Sequence, residues 1–504
     1  MESNWPILIG AAQRTERDVT VETASSPIDM LTRIVRDAAE SSGGGPRLVE
    51  SIDTIGLADT LGWSANNPPR LLADAIGAKP TTEWQSQVGG ESALALMNNA
   101  AMRVVSGDSQ LAFVGGCNHL RAIGLARKAG VRLDWPMGGT GSPTAVGKTG
   151  APSSEAELAV GLGLPISVYP IFENALRVAR GQSLEEHRRA MGALFEPFTR
   201  VAAANPYAWF PVERSAEELS SPTSVNRMIC FPYPKYLNAV VTTDQSAGVL
   251  IASQAMAARL GIPKENWIYW RGGAVGVEDP WLISLRPSYA ESPALKTCHE
   301  TAFANAGLAL DEIDLIDLYS CFPSAVSMAC EMLGLAEDDP RGLTLTGGLP
   351  YAGGPGNSYS FHSIAAAVTR LREKTGEHAL VTGNGWYLTK HSATILSRRP
   401  SPAGFDPSAA PTTDATRATW SAPPVRLQPE AKGAATVETY TIVHDRDGAP
   451  EKGIIIGRLT DTNERFLANT EPDPDLLADL EKIELIGTQG SVHHRDGHNL
   501  YIPS

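Results

Sequence analysis

The chain is short of cysteine. Its 504 residues hold five (Cys117, Cys230, Cys298, Cys321 and Cys330), scattered and with no C-x-x-C pair. Such a set excludes a disulfide framework and fits a reduced, cytoplasmic protein. Positive charge is also in deficit, with 42 Lys and Arg against 56 Asp and Glu and a net charge of −14. That balance argues against nonspecific nucleic-acid binding and against a basic membrane-facing surface. It leaves room for a local basic patch around an anionic cofactor. No apolar run reaches the roughly 18–20 residues needed to span a bilayer. The residues Met1 to Pro6 lack the basic-then-apolar layout of a secretory signal. There is no Walker loop and no dinucleotide fingerprint in strand–turn–helix context. What is present is a globular composition, long enough for two or three domains.

The strongest local signal is Asp317-Leu318-Tyr319-Ser320-Cys321-Phe322-Pro323. It follows an alternating run from Ile313 to Leu318, which has the period of a strand. It ends where Pro323 can open a helix. A phenol, a hydroxyl and a thiol therefore stand at the carboxyl end of a strand, where open α/β sheets bind ligands. Two polar, Gly-rich turns lie downstream, from Thr346 to Tyr359 and from Gly383 to His391. The three turns are expected to share one pocket.

Strand and helix patterns alternate along the first 398 residues. Pro6–Ala12 reads as a buried strand, and Met30, Leu31, Ile34, Val35, Ala38 and Ala39 have helical spacing. Ser51–Leu57 alternates, Ser92–Ser106 is an Ala- and Leu-rich helix, and Leu111–Val114 is a buried strand. The same order recurs with a helix at 294–307, a strand near Ile313, a helix near 363–374 and the strand Ala379–Gly383. Two pairs of landmarks are thus offset by roughly 260–270 residues, which points to an internal duplication. The alternation implies a mainly parallel sheet in each half. Asp244–Ile251 reads as the last strand of the first half. The expected divisions are 1–255, with an inserted loop region about 130–230, then 256–398, a Pro- and Ala-rich linker 399–430, and an all-β unit 431–504. The last contains Thr436–Val443, a turn at Asp445–Gly448, Gly453–Leu459, Arg465–Ala468 and a short helix near Asp473–Lys482. A small barrel or sandwich fits.

Several residues have chemistry suited to a site. Tyr319 is either a packed aromatic or a phenol that assists at a carbonyl oxygen. Cys321 is either a small buried hydrophobe or a nucleophile. Ser320 suits a helix cap. His362 and His391 stand nearest the second and third turns and are acid/base candidates. Tyr351, Asn357 and Asn384 offer hydrogen bonds to a substrate, and Asn384, between two glycines, also suits a left-handed turn. Glu91 and Ser92 open a helix whose amides suit a carbonyl or an oxyanion. His493, His494, His498 and Asp496 read as a flexible surface tail, and no metal is expected, because no second cluster completes a site.

The duplicated halves, the insertion and the three Gly-rich turns together resemble the thiolase superfamily over roughly residues 5–398. The likeness is greatest to sterol-carrier-type thiolases and to thiolase-like proteins of type 1, which have an additional C-terminal domain. Tyr319-Ser320-Cys321-Phe322 stands in place of the family's Asn-Glu-Ala-Phe or His-Asp-Cys-Phe block. Gly347 to Pro355 stands in place of Gly-Gly…Gly-His-Pro, and Val381-Thr382-Gly383 in place of Cys-x-Gly. The resemblance implies a duplicated α/β thiolase fold, two βαβ halves forming a five-layered core, with a small C-terminal all-β domain. It implies coenzyme A as thioester substrate or co-substrate, acyl-CoA as partner, and a homodimer through the core. It implies acyl transfer like that of acetyl-CoA acetyltransferases, or cleavage of a carbon–carbon bond in an acyl-CoA. The usual nucleophilic Cys aligns with Gly90, the Gly-His-Pro histidine with Gly354 and the acid/base Cys with Val381. An acyl-cysteine route needs a thiolate beside a base, and those places hold none. Two alternatives follow: a retro-aldol lyase acting on a 3-hydroxyacyl-CoA through Tyr319, and an acyl-CoA-binding protein without catalysis. Arg177, Arg180, His187, Arg188 and Arg189, in the insertion, are either coenzyme A phosphate contacts or a solvated helix face.

Overall fold

The structure is a computed structural model that describes residues 4–45, 47–401 and 420–504. In chain order the strands of its first part are β1 (Pro6–Thr15), β2 (Thr54–Leu57), β3 (Thr82–Ser86), β4 (Leu111–His119), β5 (Thr144–Val146), β6 (Met228–Cys230), β7 (Tyr233–Pro234), β8 (Asp244–Ser253), β9 (Ile268–Val277), β10 (Leu315–Asp317), β11 (His378–Gly385) and β12 (Lys390–Ser397). The strands beyond residue 420 are β13 (Gly433–His444), β14 (Pro450–Leu459), β15 (Arg465–Asn469), β16 (Gln489–Arg495) and β17 (His498–Pro503). The helices that matter here are α1 (Pro27–Ser42), α2 (Ser92–Ser106), α3 (Pro165–Ala179), α4 (Leu184–Ala204), α5 (Pro293–Ala306), α6 (Pro323–Leu333) and α7 (Tyr359–Arg372).

Among the described residues, ten strands form one mixed sheet in the order β10-β11-β12-β9-β1-β8-β4-β2-β3-β5. The duplication is visible in that order. Outward from the β1–β9 contact, one arm runs β1, β8, β4, β2 and the other β9, β12, β11, β10. In each arm the last two strands are parallel and the earlier neighbours antiparallel. The first arm alone continues into β3 and β5, both parallel. The expected mainly parallel halves are therefore mixed, because β8 and β12 each return as an antiparallel strand.

Five layers follow from which face each helix covers. In α1, the stripe from Met30 to Ala39 packs on Ile7, Ile9, Phe113 and Leu250. Ser26 caps its start by accepting from Asp29 N, and Gly43, left-handed at φ 79°, ends it. Gly10 lets this helix close on β1, since a Cβ there would strike the Ala38 carbonyl. The alternate residues Leu8, Ala112, Val114 and Val249 face α2 and α7, which lie between the arms. Asn98 of α2 ties that layer to the second arm: its Nδ2 donates to Ala393 O at 3.0 Å, and Trp270 Nε1 donates to its Oδ1 at 3.0 Å. Helix α5 covers β9 and β12 from outside through Leu295, Cys298 and Ala302.

Strands β13-β14-β15-β17-β16 close on themselves through β13–β14 and β13–β16, giving a five-stranded barrel. Asp445 shapes its first hairpin, accepting from Asp447 N and Ala449 N at 2.9 Å each. His493, His494 and His498 do not lie in a flexible tail. They belong to the β16–β17 hairpin that completes the barrel, with His494 Nδ1 2.8 Å from Asn499 Oδ1. Alternation among polar residues conceals such a strand. The barrel is also joined to the insertion: Val443 of β13 pairs with Cys230 of β6, and Asn174 Nδ2 of α3 donates to Tyr440 O at 2.9 Å. Of the expected linker 399–430, residues 402–419 lie outside the described residues. Its end is ordered against the barrel, with Leu427 bridged to Arg465.

Candidate functional site

The start of α2 is the point to which the expected site residues converge. Gly89 N donates to Asn357 Oδ1 at 2.9 Å, and Asn357 Nδ2 donates to Asp59 O at 2.7 Å. Ser92 Oγ donates to Gln87 O at 2.6 Å. These bonds pin the turn Val88–Glu91. Asn357 and Ser92 thus hold backbone, and their polar groups are engaged in doing so.

Gly90 faces a filled space. A Cβ there would fall on the Tyr319 hydroxyl and on the Asn384 carbonyl, far inside contact distance. Tyr319 is held in place by its amide, which donates to Thr382 Oγ1 at 2.9 Å, and by Tyr359, edge-on with centroids 5.5 Å apart. Burial, followed by the nearby Cys321, pushes the phenol well above its usual pKa. Cys321 is buried beside Tyr169 and Asn384, and burial pushes its thiol up to about 12. Asn384 Nδ2 donates to Tyr169 Oη at 2.8 Å. Asn384 is not in a turn but in β11, paired with His391 across β12. The turn that follows takes its left-handed residues at Trp386 and Leu388 instead. Ser320 does not cap α6; Phe322 stands at that position.

The other candidates lie apart. Tyr351 packs its ring against Phe195 with centroids 6.2 Å apart, and Gly354 N donates to Val240 O at 2.8 Å. His362 is inside α7, with Nδ1 3.1 Å from Gln13 Oε1. It borders a cavity of about 10 Å³ with Gln13, Gln245 and Thr346, close to the space of one water. Burial lowers its pKa to about 3, so the ring is neutral. His391, on β12, sits 3.3 Å from Ser292 Oγ and 3.8 Å from Glu278 Oε1 through Nε2. Burial, with His299 and Arg286 nearby, holds it well below its usual pKa. One residue of each turn, Tyr319, Asn357 and Asn384, thus meets the start of α2, while Tyr351, His362 and His391 lie in other surroundings.

A cavity of about 640 Å³ lies on the other side of the α2 start. Glu91, Glu278, Lys390 and His391 line it, with Val275 and Trp281. Lys390 Nζ meets Glu91 Oε1 at 2.6 Å, and the pair is buried. Gly89 and Gly385 leave room for that carboxylate, since a Cβ on either would fall on its Oε2. Sequence reasoning missed Lys390 and Glu278. Lys390 stands beside His391 in the third turn, and that adjacency was the available signal.

The bases of the insertion are engaged with acids. Arg177 pairs with Glu484 of the barrel, Arg180 with Glu331 and Glu337, His187 with Glu173, and both Arg188 and Arg189 with Glu185. Arg177, Arg180 and His187 thus join the insertion to the barrel, to α6 and to α3, whereas Arg188 and Arg189 pair within α4 on a solvated helix face. Among the described residues, no three His, Cys, Asp or Glu side chains gather as metal ligands would.

Two arms related by duplication, with a Gly-rich helix start between them, define a thiolase-fold α/β protein. Residues 418–498 match the family model described as the thiolase-like protein type 1 additional C-terminal domain. The whole chain superposes on the crystal structure of a monomeric SCP2-thiolase-like protein type 1 from Mycobacterium smegmatis, with TM-score 0.83, 34% identity and 100% of both chains covered. The chain belongs to the SCP2-thiolase-like proteins of type 1. An acetyl-CoA acetyltransferase from Syntrophomonas wolfei shares the fold, with TM-score 0.56 and 15% identity over 79% of this chain. Among curated proteins, a 3-oxoadipyl-CoA/3-oxo-5,6-dehydrosuberyl-CoA thiolase from Escherichia coli is 27% identical over 210 residues, 40% of this chain. The match spans 50% of that relative's length.

Proposed function

We propose that this protein binds a coenzyme A thioester through its thiolase-fold core and does so without forming an acyl-cysteine. One observation carries the reading: the Tyr319 phenol occupies the space that any side chain at residue 90 would need. A nucleophilic thiol requires a low pKa and a base beside it. Cys321, pushed up to about 12 by burial, meets neither condition. The thioester itself is inferred from the relatives, whose names include CoA thiolases and an acetyltransferase. Cytoplasmic location belongs to the same proposal. No described helix is long and apolar enough to cross a membrane.

A second reading keeps catalysis and moves it. Glu91, Glu278 and His391 line an open cavity, and carboxylates there suit proton transfer to or from a thioester substrate. Acyl transfer or retro-aldol cleavage of a 3-hydroxyacyl-CoA would then proceed without Cys. Mass spectrometry of products separates the readings. The protein is incubated with 3-ketoacyl-CoA plus free CoA, and separately with 3-hydroxyacyl-CoA. The binding reading expects no shortened acyl-CoA and no aldehyde, together with saturable acyl-CoA binding by calorimetry. Turnover in either arm would replace it by the catalytic one, and absence of binding would remove the thioester. A homodimer through the core is the alternative to a monomer, and sedimentation velocity distinguishes them.

A further inference from the structure

The ten-strand sheet ends differently at its two edges. At one, β10 has three residues, and Leu318 N just beyond it donates to Leu343 O at 2.9 Å. At the other, the five residues of β3 are covered by β5, a three-residue strand whose Thr144 and Ala145 are exposed. Thr144, Ala145 and Val146 run parallel to Trp84, Gln85 and Ser86, and Gln87 N donates to Val146 O at 2.8 Å. Of these three residues only Val146 reaches a core, and it is half-buried there. Yet the stretch around β5 is held from both arms. Asn67 Nδ2 donates to Thr140 O at 2.9 Å, Trp281 Nε1 to Ala151 O at 2.8 Å and Lys390 Nζ to Lys148 O at 3.3 Å. Gly150 lies against the Trp281 ring, where a Cβ would come within 3.0 Å. A segment that adds little to the core is thus seated firmly along a sheet edge.

We propose that residues 138–151 are a built-in cap on the edge of β3, and that the occupant they keep away is a second copy of this chain. Along a strand the main-chain N–H and C=O groups of successive residues point to alternate sides. Gln87 faces β5, so Gln85 and Glu83 face it too, while Trp84 and Ser86 face β2. Uncovered, that row of donors and acceptors is a template for another strand. It is self-complementary about a two-fold axis through Gln85. Antiparallel pairing there sets Gln85 against its own copy and Glu83 of each chain against Gln87 of the other, so no like charges meet. Covering an edge with a loop of the same chain is one way in which sheets avoid such pairing. The short, exposed β5 suits that task, because it satisfies main chain while burying little. None of this depends on the coenzyme A reading, and it assigns the native chain to the monomer.

The test is sedimentation velocity on the full chain over a roughly hundredfold range of concentration. The native chain is expected to be a monomer throughout. Thr144→Pro with Val146→Pro removes the two N–H groups of β5 that face β3. This variant is expected to approach a doubled mass as concentration rises. Gln85→Pro added to it removes a donor from the freed edge, leaves the ladder to β2, and is expected to restore the monomer. Circular dichroism checks that each variant is folded. Should the double proline variant not fold, Trp281→Ala, which frees one end of the cap, is expected to give the same shift in smaller measure. The proposal is overturned by a native chain that is already dimeric, by folded cap variants that stay monomeric, by a dimer that survives Gln85→Pro, or by open-ended aggregates in place of a dimer.

Discussion

Residues 90 and 91 are neighbours in the chain and face opposite kinds of space. On the side of Gly90 the protein is full: the Tyr319 phenol and the Asn384 carbonyl leave no room even for a methyl group. On the side of Glu91 it is open, with buried charges around a cavity. The filled side is where the resemblance places thiolase chemistry; unpartnered polar atoms remain on both sides, Ser320 Oγ and Asn384 Oδ1 on one and Glu91 Oε2 and Glu278 Oε2 on the other, and the large cavity adjoins the second. A site is therefore better located by unsatisfied groups beside free volume than by motif position alone.

The largest effect should come from breaking the open side. Lys390→Met leaves the Glu91 carboxylate buried without its cation, and the expected loss is about 3–5 kcal/mol at neutral pH. Denaturant unfolding measures it, and Glu91→Leu with Lys390→Met should restore most of it. A loss below roughly 1 kcal/mol would mean that water already screens the pair.

The filled side is tested next. Gly90→Cys should cost about 1–3 kcal/mol through overpacking. Combined with Tyr319→Ala, the cost should fall short of the sum of the single changes, because the new side chain then occupies the vacated space. Strict additivity would show that the phenol moves aside freely. If the double variant also gains thiol-dependent acyl exchange on acetyl-CoA, the slot is a nucleophile position closed by Tyr319.

Acid should separate the buried histidines from the rest. His362 falls to about 3 in the fold against a usual value of 6.5. Between those values the unfolded chain binds more protons than the native one, so stability falls as pH falls. From pH 7 to pH 5 the native chain should lose about 1–2 kcal/mol relative to His362→Gln. Parallel pH curves for the two would indicate a ring that protonates inside the fold. The smallest effect is expected at the insertion. Arg189→Ala, which loses only a surface pairing with Glu185, should change acyl-CoA affinity by less than about twofold.

Much of the fold was legible locally. The α1 helix runs from Pro27 to Ser42 because a Ser cap, a first-turn Pro and a closing Gly bracket an apolar stripe, and all of these are visible in sequence. The strands β2, β4, β10 and β11 and their helices recur at a common offset, so the duplication was legible as well. The β16–β17 hairpin was hidden by its histidines and arginine, since half its side chains face water. Asn384 was hidden for a different reason. Flanking glycines suggest a turn, yet here Gly383 and Gly385 let a strand pass close to Glu91.

The sequence by itself determined the duplicated α/β pattern, the barrel's first hairpin turn and the absence of a cysteine at residue 90. These depend on period, caps and residue identity, which act over a few positions. Tertiary structure alone decided that Tyr319 fills the space at Gly90, that Lys390 neutralises Glu91 and that Arg177 and Arg180 pair with Glu484 and Glu331. Each of those contacts joins segments remote along the chain. Whether a polar group is satisfied or left facing a cavity depends on which segment folding brings beside it.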